Sequence, residues 1–317
     1  MNLPQPSGSH APQPGTGSPA QARHGLLAVH AAVLLFGFAG LLGKTVSVPP
    51  LGIVFARALL AAVSLGLFLG WRTGWPPGLA AKKKVILALS GVVLAAHWLA
   101  FFQSIQVSSV AIGLLTFSSF PLFVTFLEPL FFAERLHARD VALAVVVGAG
   151  LTLLVPDFEF GNRVTQGAAW GTAAGFTFAI LALLNRKFVQ SLAPLAVAAG
   201  QNAVAALVLA PFVALTPFSP SARDLLLLAV LGLVCTALAH VLFVRGLTSL
   251  RAQVASVITG LEPVYGIVFA LVLLGEVPTA RTLVGGAVIL AAALAASLPR
   301  RTKPGVQASA ASRNSCL

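Results

Sequence analysis

The chain has 317 residues, 58% hydrophobic and only 9% charged, with a mean hydropathy of +0.94. Soluble domains carry about 25% charged residues, so a water-exposed globular surface is excluded. The net charge of +12 does not signal nucleic acid, because the basic residues fall in short loops and at the two ends, not on one soluble face.

Residues 1–24 are rich in Pro, Gly, Ser, Gln and Ala and hold no apolar run. They read as a disordered tail, without the basic start, apolar core and cleavage site of a signal peptide. Ten apolar segments follow, at 26–43, 51–70, 85–105, 109–132, 140–155, 166–184, 193–214, 225–247, 252–274 and 282–298. Runs of this length are membrane-helix signals. In lipid every backbone polar group must be paired internally, so runs without alternating polarity read as helices and not as barrel strands. Residues 299–317 form a basic tail. Cys235 in a span and Cys316 in this tail make no disulfide framework, and the ending Asn314-Ser315-Cys316-Leu317 is not a prenylation box.

The connections carry orientation. Of the 20 Lys and Arg residues, Arg57 lies inside a span and Lys44, Arg163, Arg223 and Arg281 lie at one set of loops. The rest lie at the other set, which includes both tails. Basic loops stay cytoplasmic, so both termini are expected in the cytoplasm of a cell-membrane protein with an even number of spans.

Landmarks recur along the chain. His97 is answered by His240, Pro121 by Pro263 and Glu134 by Glu276. Pro50-to-Arg57 in the second span matches Pro194-to-Gln201 in the seventh, and Lys44 matches Lys187. The repeat unit is therefore five helices, residues 26–155 and 166–298. Five is odd, so the second copy enters the membrane upside down. The expected fold is an all-α membrane protein of ten helices in two inverted repeats, an arrangement that builds transporters with substrate near the midplane.

Polar residues inside the spans are the candidate site. Pro121 and Pro263 remove a helical N–H and free the carbonyls of Phe117 and Thr259, beside Ser118, Ser119 and Ser256, with Thr116 in the same run; they are candidate hinges. The plain alternative is a kink satisfied by neighbouring helices. Glu128 and Glu262 are carboxylates at membrane depth, which cost roughly 2.5–3.5 kcal/mol there; they would carry a proton or a cationic group, or pair structurally with Arg57. Histidine as a residue type can titrate near neutral pH, so His97 and His240 could shuttle protons, or simply bond a backbone carbonyl. Trp98 and Phe101 beside His97 suit an aromatic-tolerant pocket. Arg57 could hold a substrate carboxylate, or snorkel. Gly167, Gly171 and Gly175, every four residues, suit close helix packing. Glu134 and Glu276 are expected to cap the helices that follow them.

The runs FPLFVTFLEPLFFAERLHARDVALAVVVGAG and EPVYGIVFALVLLGEVPTARTLVGGAVILAAA carry a Pro in the fourth helix of each repeat, a terminal Glu and a Gly-rich last helix. With Pro50-to-Arg57, they resemble the drug/metabolite transporter superfamily, in particular proteins with two EamA-type domains. Gln201 opposite Arg57, and Glu128 without a counterpart, depart from strict symmetry. The resemblance implies a central cavity lined mostly by the first, third, fourth, sixth, eighth and ninth helices, and adds Thr177 and Tyr265 as candidate contacts. Trp170, on the same ground, is better read as packing or lipid-facing.

No H-E-x-x-H, G-x-S-x-G or Walker loop is present, so neither catalysis, cofactor, metal nor built-in ATP drive is expected. The expected function is a secondary transporter, exporting amino acids or related metabolites by alternating access. Its partners would be a small-molecule substrate, the bilayer and protons, and the chain would act as a monomer or weak dimer. The alternatives are an exporter of amphiphilic drugs or cations, and an integral-membrane enzyme, which the scattered acidic residues disfavour.

Overall fold

A computed structural model describes residues 19–72, 80–132, 138–155, 161–185, 192–247 and 258–297, with the isolated positions 78, 159 and 254. Residues 1–18, the basic C-terminal tail, the expected site residue Ser256 and the expected cap Glu134 lie outside the described residues, whereas residues 19–24, expected as the end of a disordered tail, form the start of the first helix. Among these residues there are helices and no strands.

The helices are α1 (Pro19–Thr45), α2 (Pro50–Arg72), α3 (Ala81–Val107), α4 (Val110–Phe117), α5 (Phe120–Phe132), α6 (Ala138–Leu154), α7 (Arg163–Leu184), α8 (Pro194–Leu215), α9 (Ala222–Ala229), α10 (Ala239–Leu247), α11 (Glu262–Leu274) and α12 (Ala280–Ser297). A π-helical segment, Val230–Leu238, joins α9 to α10 in one unbroken rod. Seven spans among the described residues are long and apolar enough to cross a bilayer, counting α4–α5 and α9–α10 as single spans. α11 and α12 are shorter apolar helices.

The fourth span is not continuous. Its chain turns at Ser118 and Ser119, whose hydroxyls donate to the carbonyls of Leu114 (2.9 Å) and Thr116 (2.6 Å). Pro121 then falls at the second position of α5, and Pro263 at the second position of α11. A first-turn N–H has no intrahelical acceptor to lose, so proline fits there without breaking a bond. Each proline thus starts a helix after a break and does not kink a running one.

The packing pairs repeat when the halves are exchanged. α3 lies against α7, as α1 lies against α10. α4 and α5 pack on α7, as α11 packs on α1. α3 packs on α8, as the π segment packs on α2. α2–α8 and α6–α12 each pair an element with its counterpart.

Small residues set the closest approaches, since apolar helices in lipid gain from tight backbone contact. A Cβ on Gly37 would lie 2.9 Å from the Gly266 nitrogen, joining α1 to α11. One on Gly285 would lie 2.8 Å from the Gly150 carbonyl, joining α12 to α6. The expected glycine row of α7 does pack: Gly171 faces Thr116 and Ser104, and Gly175 faces the Phe117 carbonyl. Ser104 donates to the Gly167 carbonyl at 2.6 Å across the same seam.

Gly285→Ala forces these backbones apart and is expected to cost about 1–3 kcal/mol. Gly148→Ala, where an added Cβ meets nothing within 4 Å, should leave stability unchanged or raised. Thermal unfolding of the two variants in detergent checks the contrast.

Candidate functional site

A cavity of about 570 Å³ lies inside the bundle, within the size range of small-molecule sites. Its charged and titratable walls are Arg57 from α2, His97 from α3, His240 from α10 and Glu262 from α11. Its aromatic walls are Phe36, Trp98, Phe101, Phe117, Phe120, Phe178 and Phe243. Amides come from Asn185, Gln201 and Asn202.

Arg57 is 5% exposed. Its guanidinium carbon lies over the Trp98 ring, 3.9 Å from the centroid, with the Phe102 ring at 5.2 Å. Its Nε donates to Thr236 Oγ1 at 3.2 Å. Among the described residues its Nη groups carry no hydrogen bond and form no direct ion pair with Glu262. Among the described residues, Arg57 is thus held by Trp98 and Thr236 and not by a carboxylate.

Both histidines border the cavity and both use Nδ1 on a backbone carbonyl, His97 on Ala174 (2.9 Å) and His240 on Thr236 (3.2 Å). A carbonyl only accepts, so Nδ1 carries the proton and Nε2 of the neutral ring is the acceptor. His97 also anchors an aromatic cluster, with ring centroids 5.3 Å from Phe117 and 5.2 Å from Phe178. Phe120 stacks on Phe117 at 5.7 Å and meets Phe178 edge-on at 5.1 Å.

Gln201, the repeat counterpart of Arg57, donates through Nε2 to Ser90 Oγ (2.9 Å) and Asn185 Oδ1 (2.7 Å). The adjacent Asn202 gives its Nδ2 to the Ala198 carbonyl at 2.8 Å, which fixes the amide orientation, and its Oδ1 is buried without a partner.

The cavity thus gathers Arg57, His97, Trp98, Phe101, Pro121, His240, Thr259, Glu262 and Pro263 from the expected residues. Thr116, Ser119, Thr177, Tyr265 and Glu128 are not among its walls. The hydroxyls of Thr116 and Thr177 donate to carbonyls of their own helices at 2.6 and 2.8 Å, and that of Ser119, in the turn after α4, donates to the Thr116 carbonyl at 2.6 Å. Tyr265 Oη lies 3.0 Å from His30 Nδ1 and ties α11 to α1. Trp170 is 46% exposed. Sequence reading missed the Phe117, Phe120 and Phe178 wall, which looks like any apolar run. It also missed Asn185 and Asn202, although a lone amide in an apolar span was a visible signal. The second, seventh and tenth spans contribute as well, through Arg57, Gln201 and Leu290.

Residues 23–155 and again 165–298 match the EamA-like transporter family. The chain belongs to that family. It is 26% identical over 277 residues to the uncharacterized transporter YxxF of Bacillus subtilis (strain 168), covering 85% of this chain and 88% of that protein. It is also 26% identical over 275 residues to an uncharacterized transporter of Archaeoglobus fulgidus, covering 86% and 96%. A protein of known crystal structure superposes with a TM-score of 0.59 at 19% identity, covering 86% of this chain and 96% of that one, which speaks to fold alone. Family and apolar helices together make this a multi-pass membrane transporter.

At one end of this EamA-type bundle, side chains reach between helices. Lys44 Nζ donates to the carbonyls of Ile105 (2.9 Å) and Ser108 (2.6 Å) at the end of α3, and Arg163 Nε donates to Val107 (3.0 Å). Glu276 accepts from the Val110 N–H at 3.0 Å, the first residue of α4. This corrects the expectation that Glu276 caps the helix following it: the carboxylate sits on the positive end of a helix from the other half. Asp224 accepts from the Ser47 N–H at 2.8 Å while closing a capping box with Ser221. Arg281 Nε donates to the Leu153 carbonyl at 2.6 Å. None of these residues borders the cavity, whose walls run instead to Asn185, Phe243 and Leu294 near the opposite helix ends.

Glu276→Gln keeps the shape and loses the charge at α4, and should lower stability by about 0.3–1 kcal/mol. Glu276→Ala removes the cap outright and should cost about 0.5–2 kcal/mol. Melting curves at low and high salt check both, with the Gln effect shrinking as salt rises.

Proposed function

We propose that this protein is a secondary transporter of the cell membrane that exports small metabolites, foremost amino acids, by alternating access. The observation that carries the reading is the cavity itself: a guanidinium, a carboxylate, two imidazoles and a wall of aromatic rings enclosed by apolar helices. Placing charge there is costly unless it faces water or a ligand. Arg57 would take the substrate carboxylate, Glu262 its ammonium group or the coupled proton, and the Phe117, Phe120 and Phe178 rings its apolar part.

The fold belongs to the same proposal. Ten spans in two five-helix repeats of opposite sense would produce the exchange symmetry of the packing pairs. The distribution of basic residues favours a cytoplasmic location for both termini. In that orientation the latched end faces outward and the cavity runs toward the cytoplasm, the side from which an exporter loads. Pro121 and Pro263, each at a helix break on the cavity wall, are the proposed hinges. The chain would work as a monomer or weak dimer, with protons as the coupling ion and no catalytic step, cofactor or metal.

Amphiphilic cations are a second reading, favoured by Glu262 among aromatic rings. Flux of labelled L-phenylalanine, L-leucine and L-threonine into proteoliposomes, beside tetraphenylphosphonium, separates the two. Amino-acid flux is expected; flux of the cation alone would move the assignment to the second reading, and flux of none would sink both. Arg57→Gln should raise the KM for the amino acid about tenfold or more, the loss of a charged hydrogen-bond pair. Glu262→Gln should abolish the response of flux to an imposed pH gradient; an unchanged response removes Glu262 as the proton carrier.

A further inference from the structure

We infer that Thr236 is a positioning residue: seated in the π segment, it holds Arg57 so that only the Nη edge of the guanidinium faces the cavity, as an end-on receptor for a carboxylate. This rests on the proposal that the cavity takes substrate and that Arg57 meets its acid group.

A buried threonine in a regular helix gives its hydroxyl proton to the carbonyl three or four residues back, as Thr116 does to Ile112 and Thr177 to Ala173. Thr236 reaches five residues back, to Leu231, at 2.7 Å. The widened π turn makes that possible. With its one proton committed, the hydroxyl has only acceptor positions left, and Arg57 Nε donates into one of them at 3.2 Å. The π segment also abuts α2 closely. Gly232 within it has no side chain, and a Cβ there would lie 2.7 Å from Leu60 Cβ and 3.3 Å from Arg57 Cα.

Trp98 supplies the second constraint, its ring centroid 3.9 Å from the guanidinium carbon. A guanidinium can meet a carboxylate through its Nε–Nη side or through its paired Nη edge. Thr236 occupies Nε and Trp98 covers one face, so the paired Nη edge is what remains to the cavity. The other half of the molecule offers the contrast. Gln201, in the place of Arg57, meets Ser90 on α3, which runs as α-helix from Ala81 to Val107, and Ser90 makes the ordinary bond three residues back to Leu87 at 2.8 Å. In these two contacts between corresponding helices, made at different positions along them, the widened turn accompanies the charged member and not the neutral one.

The test compares uptake of L-phenylalanine with that of L-phenylalaninamide, which lacks the carboxylate, in proteoliposomes. Wild type should prefer the acid by about tenfold or more in KM. Thr236→Val, near-isosteric but without the acceptor, should raise the KM for the acid about tenfold with kcat retained, and shrink the preference over the amide. Thr236→Ser should restore both to within about twofold, since it keeps the hydroxyl. Trp98→Leu releases the stacked face with Thr236 in place and should shrink the same preference, which keeps the proposal testable if Thr236→Val does not fold. Wild-type KM and preference in folded Thr236→Val, with both lost in Arg57→Gln, would overturn the positioning role and leave the Arg57 assignment standing. A wild-type protein without preference for the acid, or an Arg57→Gln variant that keeps it, would overturn the assignment underneath.

Discussion

A charge inside an apolar bundle must be held by something, and in this protein an indole and a hydroxyl hold it. An arginine at membrane depth costs roughly 2.5–3.5 kcal/mol on insertion scales. A stacked cation on tryptophan returns about 0.5–2 kcal/mol, and a hydrogen bond to a charged group about 1.5–3 kcal/mol. The contacts of Arg57 with Trp98 and Thr236 are therefore of the size needed to keep it inside. Neither contact neutralises it. Arg57 and Glu262 both line one cavity, without a direct ion pair between them.

The same economy of partners shapes the ends of the helices. Terminal carbonyls need donors and terminal N–H groups need acceptors. At one end the supply comes from other helices. Lys44 and Arg163 serve the last carbonyls of α3, Glu276 serves the first N–H of α4, and Asp224 serves the α1–α2 turn. The bond from Val110 to Glu276 thereby both caps a helix and joins elements from the two halves of the chain.

Glycine contacts give the rest of the frame its closeness. Gly37 against Gly266 and Gly150 against Gly285 bring backbones from opposite halves within van der Waals range. In lipid this contact, and not exclusion of water, drives helix association. The aromatic cluster around His97 fills the space between such seams and leaves the cavity beside it.

The sequence by itself determined the solvent and the helices. With so few charges and apolar runs of membrane length, only helices in lipid satisfy the backbone, and the recurring His, Pro and Glu landmarks announced a family built from two copies, which the match over residues 23–155 and 165–298 bears out. It also pointed to Arg57, His97, His240 and Glu262, because a polar group in an apolar span stands out in one dimension. Tertiary structure alone decided what those groups touch. Thr116, Ser119 and Thr177 are as polar as Thr236 and, like it, donate to a carbonyl close by in the chain; what sets Thr236 apart is that Arg57 of α2 lies where its oxygen can accept. Phe117 and Phe178 carry no mark that separates a cavity wall from a lipid-facing surface. Glu276 looked like a cap for the next helix and serves a distant one, because the nearest helix end in space is not the nearest in the chain. Type and depth follow from local composition; partnership depends on where helices far apart in sequence come to lie.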